Sequence, residues 1–348
     1  LHLYIHGQTA FCSLSSPSFR PTFWGKVAYM DIFLLGLGFV LLFLGGEAIL
    51  RGSIAIAHRF HLSTLFVSMV IVGFGTSLPE LMVSLTAAVG GVPDIALGNV
   101  VGSNIANILL ILGFAAILAP VACSGREVKR DALAVLIASI VLVGLSFGGV
   151  VDRPAGAVMV ATLVAYLTFA FLVERRNSKN GEEILRRVER DISASRISLS
   201  MAILFCLAGL LFLAGGAYAL VEGATAIARQ LGVSDAIIGL TLVAIGTSLP
   251  ELATVIVAAY RRHADVVMGN VLGSNLFNVL GILGTTAIVT PMPIAGRIAD
   301  IDVWIVLGVA LLLAPLVWRR AAIGRAEGFV FLSLYVLYTA WVYSVDII

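Results

Sequence analysis

Residues 75–113 of this 348-residue chain align without a gap on residues 246–284, at a constant offset of 171 positions. Gly75-Thr76-Ser77-Leu78-Pro79-Glu80-Leu81 recurs as Gly246-Thr247-Ser248-Leu249-Pro250-Glu251-Leu252. Downstream, Gly98-Asn99-Val100 recurs as Gly269-Asn270-Val271, and Gly102-Ser103-Asn104 as Gly273-Ser274-Asn275. Asn107 and Gly113 recur as Asn278 and Gly284. Two copies of one unit restrict the fold to architectures in which the same local structure is built twice. Each copy also sets an acidic residue in the middle of an apolar stretch, a placement that soluble cores rarely tolerate.

Composition says which solvent the repeat faces. The chain is 60% hydrophobic and only 12% charged, against about 45–50% and about 25% in soluble domains, and its mean hydropathy is +1.05. The apolar residues fall in blocks near 31–57, 64–89, 95–118, 131–149, 154–173, 198–228, 235–259, 265–289, 302–318 and 328–345. Such blocks have the roughly 20-residue length that crosses a bilayer core. The expected fold is therefore an all-α integral membrane protein of ten transmembrane helices in two five-helix repeats. Residues 30–173 form the first repeat, 174–197 a polar loop and 198–348 the second. An odd number of spans per repeat forces the second copy to enter the membrane inverted, an architecture of transporters whose sites lie near the midplane.

Basic residues set the orientation. With the chain starting outside, the inner loops hold Arg59; Arg126, Lys129 and Arg130; the polar loop's arginines and lysine; Arg261 and Arg262; and Arg319, Arg320 and Arg325. The outer segments hold only Arg20, Lys26, Arg153, Arg229 and Arg297. Both termini are thus expected outside and the central loop in the cytoplasm. Residues 1–29, mixed in composition before Met30-Asp31, are expected to be an N-terminal extension outside the native chain; without a basic cluster or clean apolar core, they do not read as a signal peptide. A net charge of +2 with no basic-aromatic run argues against nucleic acid. Cys12, Cys123 and Cys206 have no metal or disulfide spacing, and no phosphate-cradling or dinucleotide motif occurs. No cofactor is expected.

The repeated residues describe a cation site. An acidic side chain at the bilayer centre costs about 2.5–3.5 kcal/mol on insertion scales, so two at equivalent places share a purpose. Thr76, Ser77 and Glu80 lie at helical spacings of three and four, as do Thr247, Ser248 and Glu251, so each trio shares a helix sector. Pro79 and Pro250 remove a helical donor and disturb the preceding turn, which loosens carbonyls near 73–76 and 244–247. Ser103 with Asn107, and Ser274 with Asn278, add oxygens from the following span. An all-oxygen set without thiolate or imidazole suits Na⁺ or Ca²⁺ better than zinc or copper, and Mg²⁺ less well. No span contains the histidine that an intramembrane hydrolase or metal pair would need, so an enzyme is not expected. A passive channel would leave the inverted halves unexplained. Glu47 and Arg51, four apart, are expected to pair, and Asp94 and Asp265 to cap helices.

At these residues the chain resembles the sodium/calcium exchanger family, of the calcium/cation antiporter superfamily, in its prokaryotic form. The doubled Gly-Thr-Ser-Leu-Pro-Glu and Gly-Ser-Asn-x-x-Asn motifs carry the likeness. The resemblance implies Na⁺/Ca²⁺ antiport by alternating access, with the first and sixth helices sliding past the other eight, in the inner membrane of a prokaryote and as a monomer in lipid. It implies ligands at Thr76, Ser77, Glu80, Ser103, Asn107, Thr247, Ser248, Glu251, Ser274 and Asn278, joined by backbone oxygens of Gly73 and Ala244. Relatives that carry Asp at one of the two Asn positions have three carboxylates; this chain has two, which weakens potassium co-transport. An H⁺/Ca²⁺ exchanger using the same glutamates is the alternative.

Overall fold

Two long apolar helices, α1 (Tyr29–Phe60) and α7 (Leu199–Gln230), are each 32 residues, about 48 Å at 1.5 Å per residue. The computed structural model describes residues 29–123, 125–178, 197–232, 246–319 and 322–346. The remaining helices are α2 (Thr64–Thr76), α3 (Leu78–Val89), α4 (Pro93–Leu118), α5 (Arg126–Ser146), α6 (Arg153–Ser178), α8 (Leu249–Tyr260), α9 (Ala264–Val289), α10 (Ile298–Arg319) and α11 (Arg325–Asp346). Six of these helices are long and apolar enough to cross a membrane, seven if α2 and α3 count as one bent span. The helix α5 spends its first turns on Arg126, Glu127, Lys129, Arg130 and Asp131.

The single long block expected over 64–89 is broken at Ser77, where α2 and α3 meet at a bend of 42°. The physical reason is Pro79 in the first turn of α3, whose ring cannot follow an uninterrupted helix. Pro250 starts α8 in the same way. Wide π turns interrupt α2 at Ser68–Gly73, α4 at Asn107–Leu112 and α9 at Phe277–Leu283; such turns cluster at functional sites. Asp94 and Asp265 do not cap their helices: Val92 and His263 occupy the cap positions, and the two carboxylates lie in the first turn. There they complement the positive end of the helix dipole.

The offset of 171 continues through the structure. Leu78–Val89 maps onto Leu249–Tyr260 and Gly113–Leu118 onto Gly284–Val289. The strands β1 (Val121–Ala122) and β3 (Met292–Pro293) correspond in the same way. The pairing is exchanged: β1 pairs antiparallel with β4 (Ala322–Ile323), and β3 with β2 (Val150–Val151). These short ladders are the one departure from an all-helical chain among the described residues.

Burial separates a core from a periphery. The most apolar windows of α4 and α9 are 78% and 94% buried, whereas those of α1, α6 and α7 are only 22–28% buried. The outer faces present Phe33, Phe39 and Phe43 on α1, Leu204, Leu207 and Leu211 on α7, and Val158, Val164 and Phe169 on α6. Apolar surface on that scale is stable only against lipid. Within the core, α2 packs on α9, α6 on α9, α11 on α4 and α5 on α10.

Candidate cation site

The backbone of α2 lies directly on that of α9. A Cβ on Gly269 would meet Leu65 O at 2.5 Å, and one on Gly273 would meet Met69 O at 2.5 Å. In the other direction, a Cβ on Gly73 would meet Ser274 N at 2.9 Å. Only glycine allows this approach, and it brings the π turn of α2 onto Ser274, whose hydroxyl donates to Gly73 O at 3.0 Å.

At the break after α2 the two repeat motifs interlock. Ser77 Oγ donates to Glu251 Oε1 at 2.8 Å, and Ser248 Oγ donates to Glu80 Oε1 at 3.4 Å. Each carboxylate is thus held by the serine of the other copy. Glu80 and Glu251 are each 1% exposed. The second oxygen of each, Oε2, has no hydrogen-bond partner among the described residues. Two buried carboxylates with free oxygens and, among the described residues, no basic group in contact are costly in an apolar interior unless a cation neutralises them.

The remaining expected residues sit around this centre with different degrees of engagement. Thr76 Oγ1 donates to Val72 O at 2.9 Å, inside its own helix, which leaves its lone pairs free to accept or to ligate. Gly73 O is not the loosened carbonyl that the proline implied: it accepts from Ser77 N at 3.3 Å as well as from Ser274. Ser103, Asn107 and Asn278 are buried, and both amide atoms of Asn278 lack a partner among the described residues. The π turn beginning at Asn107 packs on α8, the helix of Glu251, while the π turn holding Asn278 packs on α3, the helix of Glu80. Thr247 lies in the turn before α8, and Ala244 falls outside the described residues.

Sequence reasoning missed Asn99, which it used only as a repeat marker. Asn99 Nδ2 donates to the Glu80 carbonyl at 3.0 Å and to Ser84 Oγ at 2.9 Å, tying α3 to α4 at the carboxylate. Its equivalent, Asn270, has Val255 where Ser84 would recur, and its Nδ2 is unpartnered among the described residues. It also missed two buried aspartates at equivalent places. Asp131 is held by Arg130 at 2.6 Å and by the Tyr166 hydroxyl, and Asp302 by Arg297 and the Tyr338 hydroxyl, each at 3.1 Å. A polar residue in the first turn of an apolar block was the available signal.

Comparison with known proteins agrees with this geometry. The family model described as sodium/calcium exchanger protein matches residues 30–172 and 201–344. The inner membrane protein YrbG of Escherichia coli strain K12 is 32% identical over 311 residues, covering 89% of this chain and 96% of that one. The sodium/calcium exchanger MaX1 of Methanosarcina acetivorans is 29% identical over 347 residues, covering 89% and 97%. A solved structure of the sodium-calcium exchanger NCX_Mj, soaked with Na⁺ and Sr²⁺, superposes with a TM-score of 0.77 at 30% identity, over 90% of this chain and 98% of that one. The relatives are transporters and integral membrane proteins. This chain belongs to the sodium/calcium exchanger family, in its prokaryotic form.

Proposed function

We propose that this protein exchanges Na⁺ for Ca²⁺ across a prokaryotic inner membrane by alternating access, as ten transmembrane helices in two inverted five-helix repeats. The observation that carries the reading is the crossed pair of Ser77–Glu251 and Ser248–Glu80, with one free oxygen on each buried carboxylate. Both repeats contribute equally to one centre. Inversion is supported by α1 and α7, which correspond at an offset near 171 yet run antiparallel: Gly38 lies against Gly216 and Gly45 against Gly209. The exchanged strand pairing supports it too.

The ligand set of this reading is Glu80 and Glu251 with Thr76, Ser77, Ser103, Asn107, Thr247, Ser248, Ser274 and Asn278, and the carbonyls of Gly73 and Ala244. Each repeat alone has one carboxylate and cannot balance a divalent ion. Together they neutralise one Ca²⁺, and the same oxygens, being hard donors, accept Na⁺. Competition for two carboxylates is then the coupling: Ca²⁺ and Na⁺ cannot occupy the site together. Three Na⁺ against one Ca²⁺ would move one net charge per cycle, worth about 2.3 kcal/mol per 100 mV.

The test is radiocalcium uptake into Na⁺-loaded vesicles holding the purified protein. The reading predicts uptake that requires the outward Na⁺ gradient and ignores an imposed pH gradient. Uptake that follows the pH gradient without Na⁺ would contradict it and assign the same glutamates to proton exchange.

A further inference from the structure

The helices α1 and α7 touch through glycine. Gly38, Gly45 and Gly52 recur every seven residues on α1, and Gly209, Gly216 and Gly223 on α7. A Cβ on any of the six would meet backbone atoms of the partner helix at 2.6–2.9 Å. The contacts are reciprocal: Gly38 faces Gly216 O and Gly216 faces Gly38 O, and Gly45 and Gly209 face each other's carbonyls in the same manner. Backbone on backbone over three heptads makes the two helices one body, and a restraint on either restrains both.

That symmetric pair sits asymmetrically on the core. On one side α1 packs along α8, where a Cβ on Gly46 would touch Val257 Cγ2 at 3.0 Å and Ala253 O at 3.3 Å. The equivalent contact on the other side would join α7 to α3. Instead a cavity of about 300 Å³ separates them, lined by Leu78, Pro79 and Met82 of α3 and by Leu210, Leu211 and Ala214 of α7. It reaches Thr76 and Pro250, at the site. One seat is packed shut and its counterpart is gapped, while Glu80 and Glu251 both stay 1% exposed.

An ion pair stands at the shut end. Glu47 of α1 receives Arg261, at the end of α8, through Nη2 to Oε1 at 3.0 Å and Nε to Oε2 at 3.2 Å, a two-pronged fork. The Glu47 side chain is 16% exposed. Applying the offset of 171 replaces Glu47 by Tyr218 and Arg261 by Gly90, so the opposite end has no such pair. Arg51 also binds Glu47 Oε1, at 2.6 Å. Being on the same helix it cannot resist movement of α1 against α8, but it leaves Glu47 paired when Arg261 lets go.

We propose that Glu47 and Arg261 form a one-sided latch that holds the α1–α7 body against α8 and biases the exchanger toward the state closed at the Arg261 face. The proposal rests on the alternating-access reading above. A ligand or contact shifts such an equilibrium only by its difference between the two states, and this contact exists in one of them. Its energy is small enough to be released in each cycle, because a single forked pair at a partly exposed site is worth a modest bias.

The test uses purified full-length protein in detergent, with Cys12, Cys123 and Cys206 replaced by Ala and Val257→Cys introduced beneath Gly46. Val257 is 4% exposed and lies one turn from Arg261. Reaction of this cysteine with a charged maleimide reports opening at that face. Glu47→Gln and Arg261→Gln are each expected to speed the reaction about three- to tenfold. The swap Glu47→Arg with Arg261→Glu is expected to slow it again, and Arg51→Gln to leave it within about twofold of the parent. Parent-like rates in both Gln variants would refute the latch. So would an Arg51→Gln effect as large as that of Arg261→Gln, or a swap that restores nothing. A rate difference in protein that shows no Na⁺-driven Ca²⁺ uptake would retain the latch and remove the Na⁺/Ca²⁺ reading.

Discussion

The two crossed hydrogen bonds at the site are unequal, 2.8 Å from Ser77 to Glu251 and 3.4 Å from Ser248 to Glu80. A bond to a charged acceptor contributes about 1.5–3 kcal/mol when well formed, so the two serines should not be interchangeable. Ser77→Ala is expected to raise the Ca²⁺ concentration for half-maximal uptake by about tenfold, and Ser248→Ala by about threefold. Glu80 has compensation of another kind, since Asn99 fixes its carbonyl and Ser84 to α4. Asn99→Ala is expected to raise the same concentration by about fivefold while leaving the maximal rate within about twofold, the signature of a group that positions Glu80 without moving with the ion. Concentration-dependent uptake measures all three. The carboxylates, the serines and their kinship were legible because the motif repeats intact. The crossing was not: no spacing within one copy says that a serine will serve the glutamate of the other. Nor could a sequence show that Gly73 O gains a second donor in Ser274 besides Ser77 N, because Ser274 lies on a helix two hundred positions away.

Helix existence followed from hydropathy, and the ten apolar blocks each contain a helix or part of one among the described residues. What hydropathy misjudged was continuity. The block 64–89 is long enough for one continuous span, yet it breaks at Ser77, because the break depends on one proline and not on a mean. The π turns are likewise invisible to a window average. The seven-residue glycine spacing on α1 and α7 was readable but unread, since it lies outside the ungapped repeat of residues 75–113. It makes a sharp contrast within one helix. Gly45→Val would drive a side chain into Leu213 N and Gly209 O, both within 2.9 Å, while Gly36 has nothing within 4 Å of its Cβ position. Gly45→Val is expected to part the two helices, lower the melting temperature in detergent by several degrees and abolish uptake. Gly36→Ala is expected to leave both unchanged, its cost or gain staying within about 1 kcal/mol. Thermal unfolding followed by size-exclusion chromatography reads the first effect, and radiocalcium uptake the second.

On the proposed function, two carboxylates, two inverted units and one body seated unevenly on a core amount to a machine whose charge balance can be counted. Three Na⁺ for one Ca²⁺ carries a net positive charge against the calcium, so clamping vesicles inside-positive with potassium and valinomycin should accelerate Ca²⁺ uptake severalfold when Na⁺ leaves. Insensitivity to the clamp would refute that ratio. This level was legible in the count of acidic residues in the repeat, with Asn107 and Asn278 in place of a third. The seating of α1 against α8 lay beyond it, because it is a property of one state. Everything at this level depends on Glu80 and Glu251 being one site. The most direct measurement is Na⁺-driven radiocalcium uptake in vesicles of Glu80→Gln and of Glu251→Gln, with matched amounts of folded protein. Each change, alone, is expected to abolish uptake, since a lone carboxylate leaves Ca²⁺ half neutralised. Wild-type uptake in either variant would contradict the account.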